Sequence, residues 1–207
     1  MRILWGRANS SNVMKVIWLL EELGLDYDRR DVGGPFGKTD TPEYLHMNPM
    51  GLVPTLEEDG FTLFESNAIL RYLCAAHAPS SPLWPADLKA RARVDQWMDW
   101  QQTALNAPHS TVFLGLVRTP PERRDNAAID AAKANITRFW GMLDARLARS
   151  AFVAGDAFTL SDICLGVHVH RWFSFDFERP EQPNLAKWYE RLKTRPAYAR
   201  HVALPMT

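Results

Sequence analysis

The segment Asn48-Pro49-Met50-Gly51-Leu52-Val53-Pro54-Thr55-Leu56 limits the folds open to this chain more than any other stretch. A Val-Pro pair closes a loop and enters a strand, since proline has no N–H for a sheet interior. Residues 53–57 and 61–64 then read as two strands, with Asp59-Gly60 between them as a hairpin signal. Glu65 and Ser66 follow where a helix begins, with Ser66 as its cap, and Ile69, Leu70, Leu73 and Cys74 form its apolar stripe. The result is a receptor for a small peptide, with main-chain groups on one side and an anion-binding helix start on the other.

The residues ahead complete a mixed α/β unit. Residues 3–5 form a brief strand candidate. Ser10-Ser11-Asn12 supplies N-cap residues, and Val13, Val16, Ile17, Leu20 and Leu23 follow at helical spacing up to Gly24. Residues 27–32 read as a second strand, 33–40 as a glycine-rich loop and 42–47 as a short helix. The order is β-α-β-α-β-β-α. Pro79, Pro82 and Pro85 then mark residues 78–86 as a linker. The expected domains are therefore 1–77 and 87–207.

Beyond the linker the pattern is all-helical. One long helix is expected over 88–107, ended or kinked by Pro108. Another spans 126–149. Thr159-Leu160-Ser161-Asp162 has capping-box form and opens a third over 163–173, and 185–193 makes a fourth with Pro196 beyond its end.

Composition excludes several function classes. Lys and Arg number 24, as do Asp and Glu, so a net charge of zero argues against a nucleic-acid or membrane-surface binder. No apolar run reaches the ~20 residues of a membrane span, and no signal-peptide core follows Met1, which points to a cytoplasmic protein. Cys74 and Cys164 fall on apolar helix faces and read as buried thiols. There is no Cys-x-x-Cys, and the six histidines show no metal-ligand spacing, so no metal is expected.

Two uses are open to the run Arg7-Ala8-Asn9-Ser10-Ser11-Asn12. Its polar residues can simply cap the helix. Alternatively, the helix N-terminus holds an anion, and a thiolate is one that a serine hydroxyl can stabilise. Each unit by which a thiol pKa falls there corresponds to roughly 1.4 kcal/mol. Val53-Pro54 likewise has a trans default, whereas a cis bond would leave the Val53 N–H and C=O to pair with an extended peptide. Glu65 can receive an ammonium group and the Ser66 N–H a carboxylate, which suits a short zwitterionic peptide.

Four motifs in register now carry a resemblance. Trp5-Gly6 with Ser10-Ser11-Asn12-Val13 and Lys15-Val16, Leu20-Glu21-Glu22-Leu23-Gly24-Leu25, Asn48-Pro49-x-Gly51-x-Val53-Pro54, and Glu65-Ser66-x-Ala68-Ile69 resemble cytosolic glutathione transferases. The likeness is greatest to bacterial and plant-like members that use serine. Gly155-Asp156 and Thr159-Leu160-Ser161-Asp162-Ile163 are similar to that family's second-domain capping segment. The resemblance implies an α+β thioredoxin-like N-terminal domain, an all-helical C-terminal domain, a homodimer, and glutathione as co-substrate in detoxification. Carried over by position, Ser10 stabilises the glutathione thiolate and Val53 pairs with the cysteinyl backbone beside cis-Pro54. Glu65 and Ser66 hold the γ-glutamyl amine and carboxylate, and Asp99 reaches that amine across a dimer. Leu52 stands where the family often has a basic or amide residue. Lys38 is the one candidate for the glycyl carboxylate, and Asn9 is a second candidate donor to sulfur.

The wall facing the sulfur is expected from Trp100, His109, Phe113, Arg171 and Trp172, with Trp5 and Asn9 below. Aromatics there suit a small hydrophobic electrophile, and Arg171 or His109 can meet developing negative charge. Aromatics on amphipathic helices also serve as core, and Trp97, Trp140 and Trp188 are read that way. The expected activity is glutathione transfer to a hydrophobic electrophile. Glutathione-dependent disulfide or peroxide reduction, or a non-catalytic glutathione-binding module, are the alternatives.

Overall fold

A computed structural model describes residues 1–206. β1 (Arg2–Trp5) lies inside a four-stranded sheet ordered β2-β1-β3-β4. β2 (Asp28–Arg30) is parallel to β1, whereas β3 (Thr55–Glu58) pairs antiparallel with both β1 and β4 (Phe61–Phe64). Leu4 stands opposite Leu56, and both are fully buried, which fixes the register through one shared apolar face. α1 (Ser11–Glu22) makes the crossover that a parallel β1–β2 pair needs, and Gly24 at φ 63° follows its end. α2 (Pro42–Met47), capped by Thr41, and α3 (Ser66–His77) complete the βαβαββα order of a thioredoxin-like domain.

The strand expected over 53–57 starts instead at Thr55, after Pro54, which has no N–H to give to a ladder. The strand expected over 27–32 shortens to three residues. Ser66, expected as a cap, is the first helical residue of α3; the N-cap is Glu65, at φ 68° and ψ 108°.

The C-terminal domain is helical: α4 (Leu88–Trp100), α5 (Asn106–Phe113), α6 (Asn126–Leu147), α7 (Leu160–Ser174), α8 (Pro183–Lys193) and α9 (Pro196–His201). The long helix does not end at Pro108, which lies inside α5. A π turn over Gln101–Leu105 joins α4 to α5 without a break, with the Asn106 N–H donating to the Gln101 carbonyl five residues back. That widened turn takes up the register change a proline imposes just downstream. A second π turn, Leu114–Arg118, follows α5. Pro196 lies beyond the end of α8, as expected, and also opens α9, because a proline at the first helical position loses no hydrogen bond.

α7 begins with the capping box read from the sequence, and Asp162 is fully buried there. Its carboxylate accepts from the Val153 and Thr159 N–H groups and from Trp188 Nε1 (3.0, 2.9 and 2.9 Å). The domains share one core. Trp18 of α1, with no exposed surface, lies 4.6 Å from the Tyr198 ring of α9 and 5.6 Å from that of Phe158. Cys74 and Cys164 are buried, free thiols, which burial pushes up to about 12 and about 11. Among the described residues no helix is long and apolar enough to cross a membrane, and no His, Cys, Asp or Glu cluster could hold a metal ion.

Candidate active site

From Trp5 the chain turns through Gly6 into Arg7-Ala8-Asn9-Ser10 before α1. The Gly6 and Arg7 N–H groups donate to Arg30 O (2.8 Å) and Val32 O (3.1 Å), which pins the loop along β2. Position 6 admits only glycine, since a Cβ there would lie 2.5 Å from Val13 Cγ2 and 3.3 Å from Val53 Cβ. The start of α1 is thereby brought against the Val53-Pro54 turn. Ser10 has N-cap backbone geometry, yet its hydroxyl makes no capping hydrogen bond. Of the two uses open to this serine, capping is not the one observed. The hydroxyl stays available at the positive end of the helix.

The Val53 side of the cleft rests on a buried polar frame. Tyr44 Oη and Asn48 Nδ2 both donate to the Leu52 carbonyl (2.6 and 2.8 Å), and each also meets Thr55 Oγ1. Leu52 is therefore held by its carbonyl while its side chain projects, 61% exposed. Val53-Pro54 is cis, and the sheet ladder starts only at Thr55, so the sheet does not use the Val53 main chain.

Glu65 is exposed at the start of α3 in a left-handed conformation that costs a non-glycine residue about 1–3 kcal/mol. Ser66 is buried, and its Oγ donates to Asn12 Oδ1 (3.4 Å), tying the N-terminus of α3 to that of α1. Asn12 thus meets Ser66, and Gly6 packs between Val13 and Val53, so the N-terminal ends of α1 and α3 lie together.

Beneath that cleft lies a residue to which the sequence pattern assigned no role. Lys15 is completely buried, and its ammonium donates to three neutral oxygens: Ser66 Oγ (3.4 Å), Asn67 Oδ1 (3.2 Å) and Gln101 Oε1 (2.8 Å). Burial pushes it down to about 8, opposed by Cys164 and Glu65. Gln101 comes from the first π turn, so this knot joins both domains under Ser66. A lone lysine inside the apolar run from Val13 to Leu20 was the available signal.

The expected electrophile wall divides. Phe113 and Arg171 do meet Asn9, together lining a small cavity with Met14 and Val167. A second cavity of ≈ 360 Å³ runs past Asn9 and Met14 to Ile17 and His201. Arg171 stacks 3.9 Å above the Phe113 ring centroid. His109 does not reach the cleft. It is fully buried between Trp140, His168 and Phe175, and burial lowers it to about 3, so it is neutral and cannot answer negative charge as a cation. Trp172 is likewise core, with Nε1 donating to Gln182 (2.9 Å). Trp100 packs edge-on against Trp97 and Phe139. Trp5 turns to Tyr44 and donates to Glu57, away from the helical wall. Lys38 is exposed at φ 67°, and Asp99 is ion-paired with Arg71 (2.7 Å).

A thioredoxin-like domain with an anion-ready helix start beside a cis-proline, backed by a helical domain, defines a class of glutathione-handling proteins. Residues 2–75 match the glutathione S-transferase N-terminal domain, and residues 126–191 match its C-terminal domain. The chain belongs to the glutathione S-transferase family. It is 42% identical over 206 residues to glutathione S-transferase GstB of Escherichia coli strain K12, covering 99% of each chain. Glutathione S-transferase 4 of Zea mays is 30% identical over 198 residues, covering 94% of this chain and 88% of the maize protein. The structure of the theta class enzyme of Xanthomonas axonopodis pv. citri with glutathione bound matches with a TM-score of 0.95 at 45% identity, covering 100% of this chain and 99% of that one.

Proposed function

We propose that the protein is a working glutathione transferase whose Ser10 hydroxyl donates to the glutathione sulfur. One observation carries this: Ser10 occupies the N-cap of α1 while its hydroxyl is left out of the cap. In the reading this supports, Val53 pairs with the cysteinyl backbone beside Pro54, Glu65 receives the γ-glutamyl amine, and Ser66 receives its carboxylate. Lys38 is the candidate for the glycyl end, and Asp99 for a contact across a homodimer. The thiol proton passes to solvent on binding. The thiolate then forms a carbon–sulfur bond as the leaving group departs with the bonding pair. Positioning and thiolate stabilisation supply the acceleration. The proposed division is a glutathione-binding domain over 1–77 and an electrophile-side and dimer-contact domain over 87–207.

Ser10→Ala is expected to raise the pKa of the bound thiol by about one unit and to lower turnover of a chromogenic aryl halide near neutral pH about tenfold. Ultraviolet titration of the bound thiolate reads the first effect directly. An unchanged titration in Ser10→Ala would remove the assignment. A second reading has support of its own, because Asn9 rather than Ser10 lines both cavities. Were Asn9→Ala to cost more than Ser10→Ala, and a mixed glutathione disulfide to outrun the aryl halide, glutathione-dependent reduction would be the better description. Binding of glutathione without turnover of either substrate would leave a binding module.

A further inference from the structure

The knot around Lys15 has a fixed direction of donation, and that direction leads to Ser66. The Lys15 ammonium donates to Ser66 Oγ, Asn67 Oδ1 and Gln101 Oε1. Asn67 Oδ1 accepts a second time, from the Cys164 thiol (3.2 Å). Asn67 Nδ2 donates to the Met98 carbonyl (3.0 Å) and to Gln101 Oε1 (3.4 Å). With two donors on each, both amide oxygens have used their lone pairs, and the buried Gln101 Nε2 is left without a partner. Only Ser66 can pass the charge on. Because its oxygen receives Lys15, its own proton points elsewhere, to Asn12 Oδ1 at 3.4 Å. Both bonds at this hydroxyl are long, so a charged acceptor would take the proton in preference.

This is a costly place for a lysine. Its side chain has no exposed surface, and none of its three partners carries a charge. Burial lowers it to about 8, opposed by Cys164 and Glu65. A methionine would fill the same space in the apolar run from Val13 to Leu20 without that desolvation. An anion beside Ser66 would supply what the lysine lacks, at a helix start that already favours one. Glu65, the residue before Ser66, carries the opposite charge. An ammonium on Glu65 and a carboxylate on Ser66 would therefore set each ligand charge against its complement.

We propose that Lys15 is a positioning residue for glutathione, orienting and polarising the Ser66 hydroxyl so that it donates to the γ-glutamyl carboxylate. This rests on the transferase reading and adds to it a residue that never touches the peptide. It also makes carboxylate recognition depend on the helical domain, since Gln101 of the first π turn holds the lysine in place.

The test is calorimetry with two peptides. One is S-methylglutathione, whose blocked sulfur keeps thiol ionisation out of the measurement. The other is S-methyl-(4-aminobutyryl)cysteinylglycine, the same molecule with the γ-glutamyl carboxylate replaced by hydrogen and the amine kept. Wild type is expected to bind the first at least about tenfold tighter, as a charge-assisted hydrogen bond would give. Lys15→Met should remove most of that gap, weakening S-methylglutathione while changing the decarboxylated peptide by less than about twofold. A purely structural role would weaken both alike and leave the gap open. Lys15→Gln, which keeps polar contacts for the same oxygens without the charge, serves if the methionine variant does not fold, and should close the gap equally. Equal affinity of the two peptides for wild type, or a gap that survives in the folded variants, would overturn the inference and leave the transferase reading intact. Failure of both peptides and of glutathione to bind wild type would overturn the transferase reading itself, and this inference with it.

Discussion

Lys15 shows how much a single side chain can set the properties of a site it does not line. All three of its protons meet oxygen, but none of those oxygens carries a charge. Its charged form is therefore disfavoured by burial, and its pKa falls from 10.5 to about 8. That fall sets the direction of the pH effect. Below about pH 8 the lysine is protonated whether the chain is folded or not. Between about 8 and 10.5 the unfolded chain holds a proton that the folded chain has released, so the Lys15 contribution to stability rises with pH. In denaturant titrations, wild type minus Lys15→Met is expected to climb by about 3 kcal/mol from pH 7 to pH 10.5. Taking the difference cancels the two buried cysteines, which act in the opposite sense. A flat difference would show that the ammonium is better compensated than its three neutral partners suggest. A carboxylate bound at Ser66 would supply the missing counter-charge, so glutathione is expected to shift this rise toward higher pH.

Helix packing decides how the two domains hold each other, and its tightest point is a glycine. A Cβ on Gly166 of α7 would lie 2.6 Å from Trp18 Cζ3 and 3.0 Å from Leu192 Cδ1. Gly166→Ala gains about 1 kcal/mol in helix propensity, but it forces a fully buried indole aside, a change that costs typically 1–3 kcal/mol and more when nothing can yield. A net loss of about 2 kcal/mol in urea is expected, and unchanged stability would show that α1 and α7 can part without cost. Much of this layer was legible beforehand. The hairpin at Asp59-Gly60, the Gly24 stop and the Thr159–Asp162 box rest on local chemistry, which a short window of sequence contains. Proline is an ambiguous signal: Pro196 does lie beyond α8, but the helix that it begins went unread. The site obeyed the same rule. Ser10, Val53, Glu65 and Ser66 are marked by local signals, whereas Lys15 meets Gln101 from 86 positions away. His109 and Trp172 turned inward because an amphipathic pattern marks a buried face without saying whether a cleft or a core lies on it.

Several apolar side chains stay in water on a single chain: Met50 at 63%, Leu52 at 61% and Leu88 at 75% exposure. They lie on the Val-Pro loop and at the start of α4, and they support the proposed homodimer. Sedimentation is expected to give about twice the 23.6 kDa chain mass at micromolar concentration, and a monomer there would rule that assembly out. Asp99 would then have to be explained by its Arg71 pair alone. The two π turns carry a different implication, concerning how this wall can change over time. Each behaves as one surplus amino acid threaded into a helix, and each residue swings the downstream turns by about 100° around the axis. Deleting one position from Gln101–Leu105 would leave a helix still, but with Phe113 rotated away from the Asn9 cavity. A lineage could thus swap the chemistry of its acceptor site by a three-nucleotide loss, without altering any side chain that touches the tripeptide.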